Sequence, residues 1–283
     1  MPVHAADLTG PLQVSDGNSL QLGTDDVLTH GAGSFALAVT GAGSSALIDG
    51  SRINVTGNGS AVSAANGGRV QLRGCHPVDR TRHRRGLLRA VCHRSRQCYR
   101  CARCRHRCHA QWQRIWQRAG LQRWRDPLHR GCLSATGTGA VLAGASGKGS
   151  ELHLADLQMS ADGGARLRAD SAGLLTIRNS RITLAPGGIP AGVAVNGVGS
   201  RAELYDTYLQ NGWFDIDSGG SVLLENVEAH SVGGSMRLLG SSISKTYSSA
   251  VINGGSFSTV GGYGVNINSW GQLDRARRRV RCA

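Results

Sequence analysis

Eight aliphatic residues recur through this chain of 283 residues: Leu22, Ile48, Leu72, Leu154, Ile177, Leu204, Leu224 and Ile252. They lie 20 to 28 residues apart, with one gap of 82 between Leu72 and Leu154. The segments around them share one shape, as in "ALIDGSRINV" (Ala46 to Val55), "LTIRNSRITL" (Leu175 to Leu184) and "VLLENVEAH" (Val222 to His230). An aliphatic residue is followed by Asp or Asn, and then by a second apolar residue. Before most anchors comes another signal, in "ALAVTGAGS", "GVAVNGVGS", "FDIDSGGS" and "GVNINSWG". Alternation of period two closed by Gly, Ser or Asn predicts short strands with one face inward, joined by turns needing positive φ.

Repeats of this length built on short strands predict a solenoid. The spaced-leucine consensus of leucine-rich repeats, with its fixed Asn, is absent. The pattern fits an all-β parallel β-helix, in which inward Val, Leu and Ile stack into ladders from coil to coil. Ile177, Leu204 and Leu224 are then expected in one buried stack, with Arg178, Tyr205 and Glu225 facing solvent. Asp156, Asn179, Asp206 and Asn226 share one repeat position and should stack at a single bend. Carboxylates alternating with amides suit a turn ladder better than a calcium or catalytic row.

Charge divides the chain. Gly74 to Leu133 carries 16 Arg against Asp79 and Asp126, and Asp274 to Ala283 carries five Arg against one Asp. The remainder holds 11 basic and 15 acidic residues, so the formal +14 belongs to two blocks set into a mildly acidic body. Seven of the eight cysteines lie between Cys75 and Cys132, and the eighth is Cys282, so no disulfide framework ties the body. No apolar run is long enough to span a membrane as a helix. Val3-His4-Ala5 before Ala6 has the small-residue form of a signal-peptidase site, without the charged and apolar regions that should precede it.

The Gly-Ser turns, the segments "VNGVGSRAEL" and "NINSWGQL" and the cysteine-free body resemble the passenger domain of pertactin-like autotransporters, surface adhesins of Gram-negative bacteria. The resemblance covers Ala6 to Arg73 and Ser134 to Leu273. It implies a right-handed parallel β-helix, displayed at the outer membrane, whose partner is a host-cell surface or extracellular-matrix ligand. It also implies a C-terminal translocator barrel, which this chain lacks, and the Arg-Gly-Asp motif of some relatives is missing too. The expected organisation is β-helix over 6–73, a non-native segment over 74–133, β-helix over 134–273 and a non-native tail over 274–283.

The most conspicuous motif is Cys98, Cys101, Cys104 and Cys108, spaced as in iron–sulfur proteins, though His109 stands where proline is usual. With His106 and His109 the same residues could hold zinc. The genetic code offers another reading. One nucleotide later, Cys codons yield Ala or Val, Trp codons yield Gly, and Gln codons mostly yield Asn or Ser, which is the alphabet of the body. Gln111 to Gln117 becomes a Gly-Asn-Ser turn, and Asp274-Arg275 can become Thr-Val. Both basic blocks therefore read as frameshifted translation, and the segment as the remains of three or four coils.

The expected function is that of a non-enzymatic adhesin fragment that does not work as written. No catalytic, metal or cofactor residue is assigned, and no nucleic acid or integral membrane segment. Two alternatives stand beside it. Parallel β-helices also host polysaccharide-degrading enzymes, and Asp215 and Asp217 alternate onto one strand face. The basic block, with Trp112, Trp116 and Trp124 interleaved, would otherwise suit metal or RNA. Loss of coils should leave two separate pieces, about Leu12 to Arg73 and Ala140 to Leu273, with open β-edges that invite aggregation.

Overall fold

The structure is a computed structural model describing residues 7–23, 26–31, 33–56, 60–74, 133–137, 141–162, 166–185, 192–241, 245–268 and 270–275. Its described strands are joined in parallel pairs, and no helix occurs among the described residues. Each rung of the β-helix contributes one strand to a nine-stranded sheet: Ser19–Leu22, Ser45–Asp49, Arg69–Arg73, Glu151–Ala155, Leu174–Arg178, Arg201–Tyr205, Ser221–Glu225, Ser248–Asn253 and Gly271–Arg275. These strands number the rungs one to nine. Two further faces complete each rung. In the first seven they are separate strands, and in rungs eight and nine they fuse into the long strands Glu228–Leu239 and Ser256–Ile267.

The predicted anchors form one uninterrupted ladder on the nine-stranded sheet. Leu22 pairs with Ile48, Ile48 with Leu72, Leu72 with Leu154, and the series runs on through Ile177, Leu204 and Leu224 to Ile252. Ile177, Leu204 and Leu224 are fully buried, while Arg178 and Glu225 are exposed and Tyr205 is half-buried. The other faces supply their own ladders. On one, Leu28, Ile53, Leu133, Met159, Ile182 and Leu209 follow each other in register. On the other, Leu37, Val62, Ala143, Leu167, Val193, Phe214 and Met236 do the same. Burying each large aliphatic side chain contributes about 1.5–3 kcal/mol, so the stacked core supports itself without crosslinks.

The expectation of two pieces with open edges is overturned. Strand Arg69–Arg73 lies directly on Glu151–Ala155 over five residues, and Leu133–Ala135 is inserted between Arg52–Val55 and Gln158–Ala161. The strand edges at Arg69–Arg73 and Glu151–Ala155 are thus paired with each other and not open. Leu133, expected in the non-native segment, is a buried core residue. The physical reason lies at the corner. Rungs two and four to eight leave this sheet through a two-residue bend, such as Asp156-Leu157 or Asn179-Ser180, whereas rung three leaves it at Gly74 and the described chain resumes at Leu133. Gly74 keeps the left-handed conformation of the bend (φ 82°), and its N–H donates to Ala155 O at 3.3 Å. A chain that departs and returns at one corner can be long without separating the rungs. Cys98, Cys101, Cys104, Cys108, His106, His109 and the three tryptophans lie outside the described residues.

The bend ladder is as expected from its residue types. Asp156, Asn179, Asp206 and Asn226 all have positive φ, between 44° and 60°. Their side chains join in pairs: Asn179 Nδ2 donates to Asp156 Oδ1 at 2.6 Å, and Asn226 Nδ2 to Asp206 Oδ1 at 3.2 Å. Asp and Asn tolerate this conformation better than other side chains, and alternating them avoids stacked like charges.

The opposite corner, leading into the nine-stranded sheet, carries a device that the repeat pattern did not reveal. Its closing residue alternates between serine and glycine: Ser44, Gly68, Ser150, Gly173, Ser200, Gly220 and Ser248. Each serine hydroxyl accepts an N–H from the rung before, namely Gly17, Gly67, Ala172 and Gly219, at 3.0 to 3.1 Å. At the glycine rungs a Cβ would come within 2.3 Å of Val39 O, 2.4 Å of Ala145 O and 2.6 Å of Val195 O. The rungs therefore interlock in twos, and the alternation runs unbroken from Gly68 to Ser150 across the long corner.

Candidate functional surfaces

Inward positions of a β-helix are consumed by the core, so chemistry falls to the outward rows. On the nine-stranded sheet two such rows run across the rungs. One reads Ser19, Ser45, Arg69 and Glu151, and the other Gln21, Leu47, Gln71 and His153. Together they line a groove of about 370 Å³. Arg69 Nη2 lies 3.3 Å from Glu151 Oε1, and His153 Nε2 lies 3.3 Å from Glu151 Oε2. The groove thus draws its walls from both sides of the long corner.

The same rows change character further along. Arg201 Nε meets Glu203 Oε1 at 2.7 Å, and Tyr205 Oη donates to Glu203 Oε2 at 2.9 Å. The Arg178 guanidinium lies 4.1 Å from the Tyr205 ring centroid, and around the bend Arg181 lies 4.2 Å from that of Tyr208. Burial, and then the hydrogen bond to Glu203, raise the Tyr205 phenol above its ordinary 10.0. Side chains here satisfy one another.

Asp215 and Asp217 do share one outward strand face, in Phe214–Asp217. Arg237 grips Asp215 with two hydrogen bonds of 2.8 and 2.9 Å, and Asp217 Oδ1 accepts from Ser218 Oγ at 3.0 Å. Asp170 joins them, since it pairs with Asn196 and Asn196 with Asp217. Its Oδ2 meets Arg168 Nη2 at 2.7 Å, while Oδ1 is buried with no hydrogen-bond partner among the described residues. The signal for Asp170 was present in sequence: Asp170-Ser171-Ala172-Gly173 and Asp217-Ser218-Gly219-Gly220 form the same corner. Among the described residues no group of His, Cys, Asp or Glu is arranged to hold a metal ion. The groove had no such signal, because Gln71 and His153 are distant in sequence and meet only through the register.

At the far end, Arg275 pairs with Ile252 and so occupies the position that is aliphatic in every earlier rung. Comparison with family models, with curated proteins and with solved structures finds no match to this chain.

Proposed function

We propose that this chain is a frame-disrupted fragment of an exported, surface-displayed β-helix of the pertactin-like passenger kind, an adhesive rather than catalytic protein that does not deliver adhesion as written. The observation that carries the reading is the ladder position of Arg275. Eight rungs place Leu or Ile there, and the shifted reading of Asp274-Arg275 allows Thr-Val, which would restore an aliphatic residue where the stack needs one. A cysteine-free stack with long outward rows suits multivalent attachment to a host-cell or matrix ligand.

The gene tests the first half. Codon-position base bias should jump to another frame across residues 74–132 and again after Leu273, and bias that stays in frame would overturn the disruption. The frame-restored, full-length protein tests the second half. It should reach the bacterial surface and raise attachment to host cells, and display without any gain in attachment would remove the adhesive reading. A second reading, a polysaccharide-degrading β-helix, is favoured by Asp170, Asp215 and Asp217 on one outward face. Turnover of pectin oligomers by the frame-restored protein, lost in Asp217→Asn, would establish it instead.

A further inference from the structure

We infer that the groove on the nine-stranded sheet is a binding site for a neutral oligosaccharide lying along the β-helix axis, across rungs one to four. The inference concerns the stack as it stands, with rung four docked on rung three, and is independent of the adhesive reading. Four side chains carry it. Ser19, Gln21, Ser45 and Gln71 line the groove, and none makes a side-chain hydrogen bond to another described residue. Rung six presents a contrast on the same sheet, where Arg201, Glu203 and Tyr205 are spent on each other. Unspent amides and hydroxyls in a concave row are donors and acceptors for hydroxyl groups.

Geometry and charge narrow the ligand. Gln21 and Gln71 occupy the same row two rungs apart, about 9.6 Å at the usual strand spacing, with half-buried Leu47 between them. A chain of pyranose rings advancing about one ring per rung would set one ring's C–H face over Leu47 and hydroxyls at each amide. An apolar floor with a few placed polar groups is the usual composition of a small-molecule site. Arg69 and Glu151 cancel each other's charge, so the groove offers no net attraction to a polyanion. A sulfated or uronic-acid chain is therefore disfavoured against a neutral one.

The test uses the full 283-residue chain and isothermal titration with neutral tetrasaccharides, β-1,4- and β-1,3-linked glucose among them, beside tetragalacturonate. At least one neutral tetrasaccharide should bind, and Gln21→Leu/Gln71→Leu should weaken it at least tenfold. Gln13→Leu, exposed on another face, should leave binding unchanged. The variants should keep the parent's far-ultraviolet spectrum and melting temperature, because all three positions point outward. Binding unaffected by the double substitution, tighter binding of tetragalacturonate, or no binding by any neutral member would overturn the site.

Discussion

Rungs three and four are joined through a long corner, and rungs five and six through an ordinary two-residue bend, yet the two pairs are built alike. Arg69–Arg73 meets Glu151–Ala155 over five residues, as Leu174–Arg178 meets Arg201–Tyr205. Both pairs bury an aliphatic ladder residue, Leu72 on Leu154 and Ile177 on Leu204, and in both a serine hydroxyl reaches back to the preceding corner. What differs is outside the core: one pair faces the open groove, and the other carries the closed Arg–Glu–Tyr network. Pairing in this fold is thus set by cross-section and corner chemistry, not by continuity of the chain.

The largest expected effect would break that equivalence. Leu72→Ala and Leu204→Ala each remove a fully buried side chain from the same ladder, and each should cost about 2–5 kcal/mol. If the long corner leaves its rungs loosely docked, Leu72→Ala will cost far less, because a loose site collapses around the cavity. Urea unfolding of both variants measures the difference.

Of the fold, the register of one sheet was legible, and for a physical reason. Aliphatic residues at a fixed repeat position have nowhere else to go, so the spacing of Leu22 through Ile252 is enough to put them on one ladder. The expected open edges follow from taking the distance between Leu72 and Leu154 as stack height, whereas the two strands that bracket it pair directly. Nothing in a one-dimensional spacing says that a corner can absorb the excess. The serine–glycine alternation was visible in the letters but has a two-rung period, which a one-rung repeat conceals. The groove could not be read at all, since Gln21, Gln71 and His153 become neighbours only once the register is known.

A smaller effect compares the two corners directly. Asn179 and Gly74 occupy the same bend position with positive φ, one in an ordinary bend and one opening the long corner. Asn179→Ala forces an ordinary side chain into that conformation, at about 1–2 kcal/mol, and also removes the donor to Asp156. Gly74→Ala should cost at least as much, because its Cβ would come within 2.7 Å of Asp49 Oδ1 as well. A neutral Gly74→Ala, measured by the same unfolding curves, would mean that the long corner does not hold the bend that closes the others.

The smallest effect belongs to the outward rows, where the closed network contains a phenol that the groove lacks. Tyr205 is held protonated by its partly buried position, and then by donating to the Glu203 carboxylate, so its folded pKa lies above the unfolded value near 10.0. A group raised in this way contributes stability that is fully present below the unfolded pKa and is lost as pH rises through the folded one. The contribution of Tyr205 to the network should therefore be lost in alkali, above pH about 10, while neutral and acidic stability stays untouched by this residue. Phenolate absorbance followed through an alkaline titration should show Tyr205 ionising late, and Tyr205→Phe should delete that late step. Glu203→Gln should shift the step downward without bringing it fully back to 10.0, because burial is the larger cause and remains. A full return to 10.0 in Glu203→Gln would assign the shift to the carboxylate alone, and an unshifted Tyr205 in the parent would mean that the network is open in solution, like the groove.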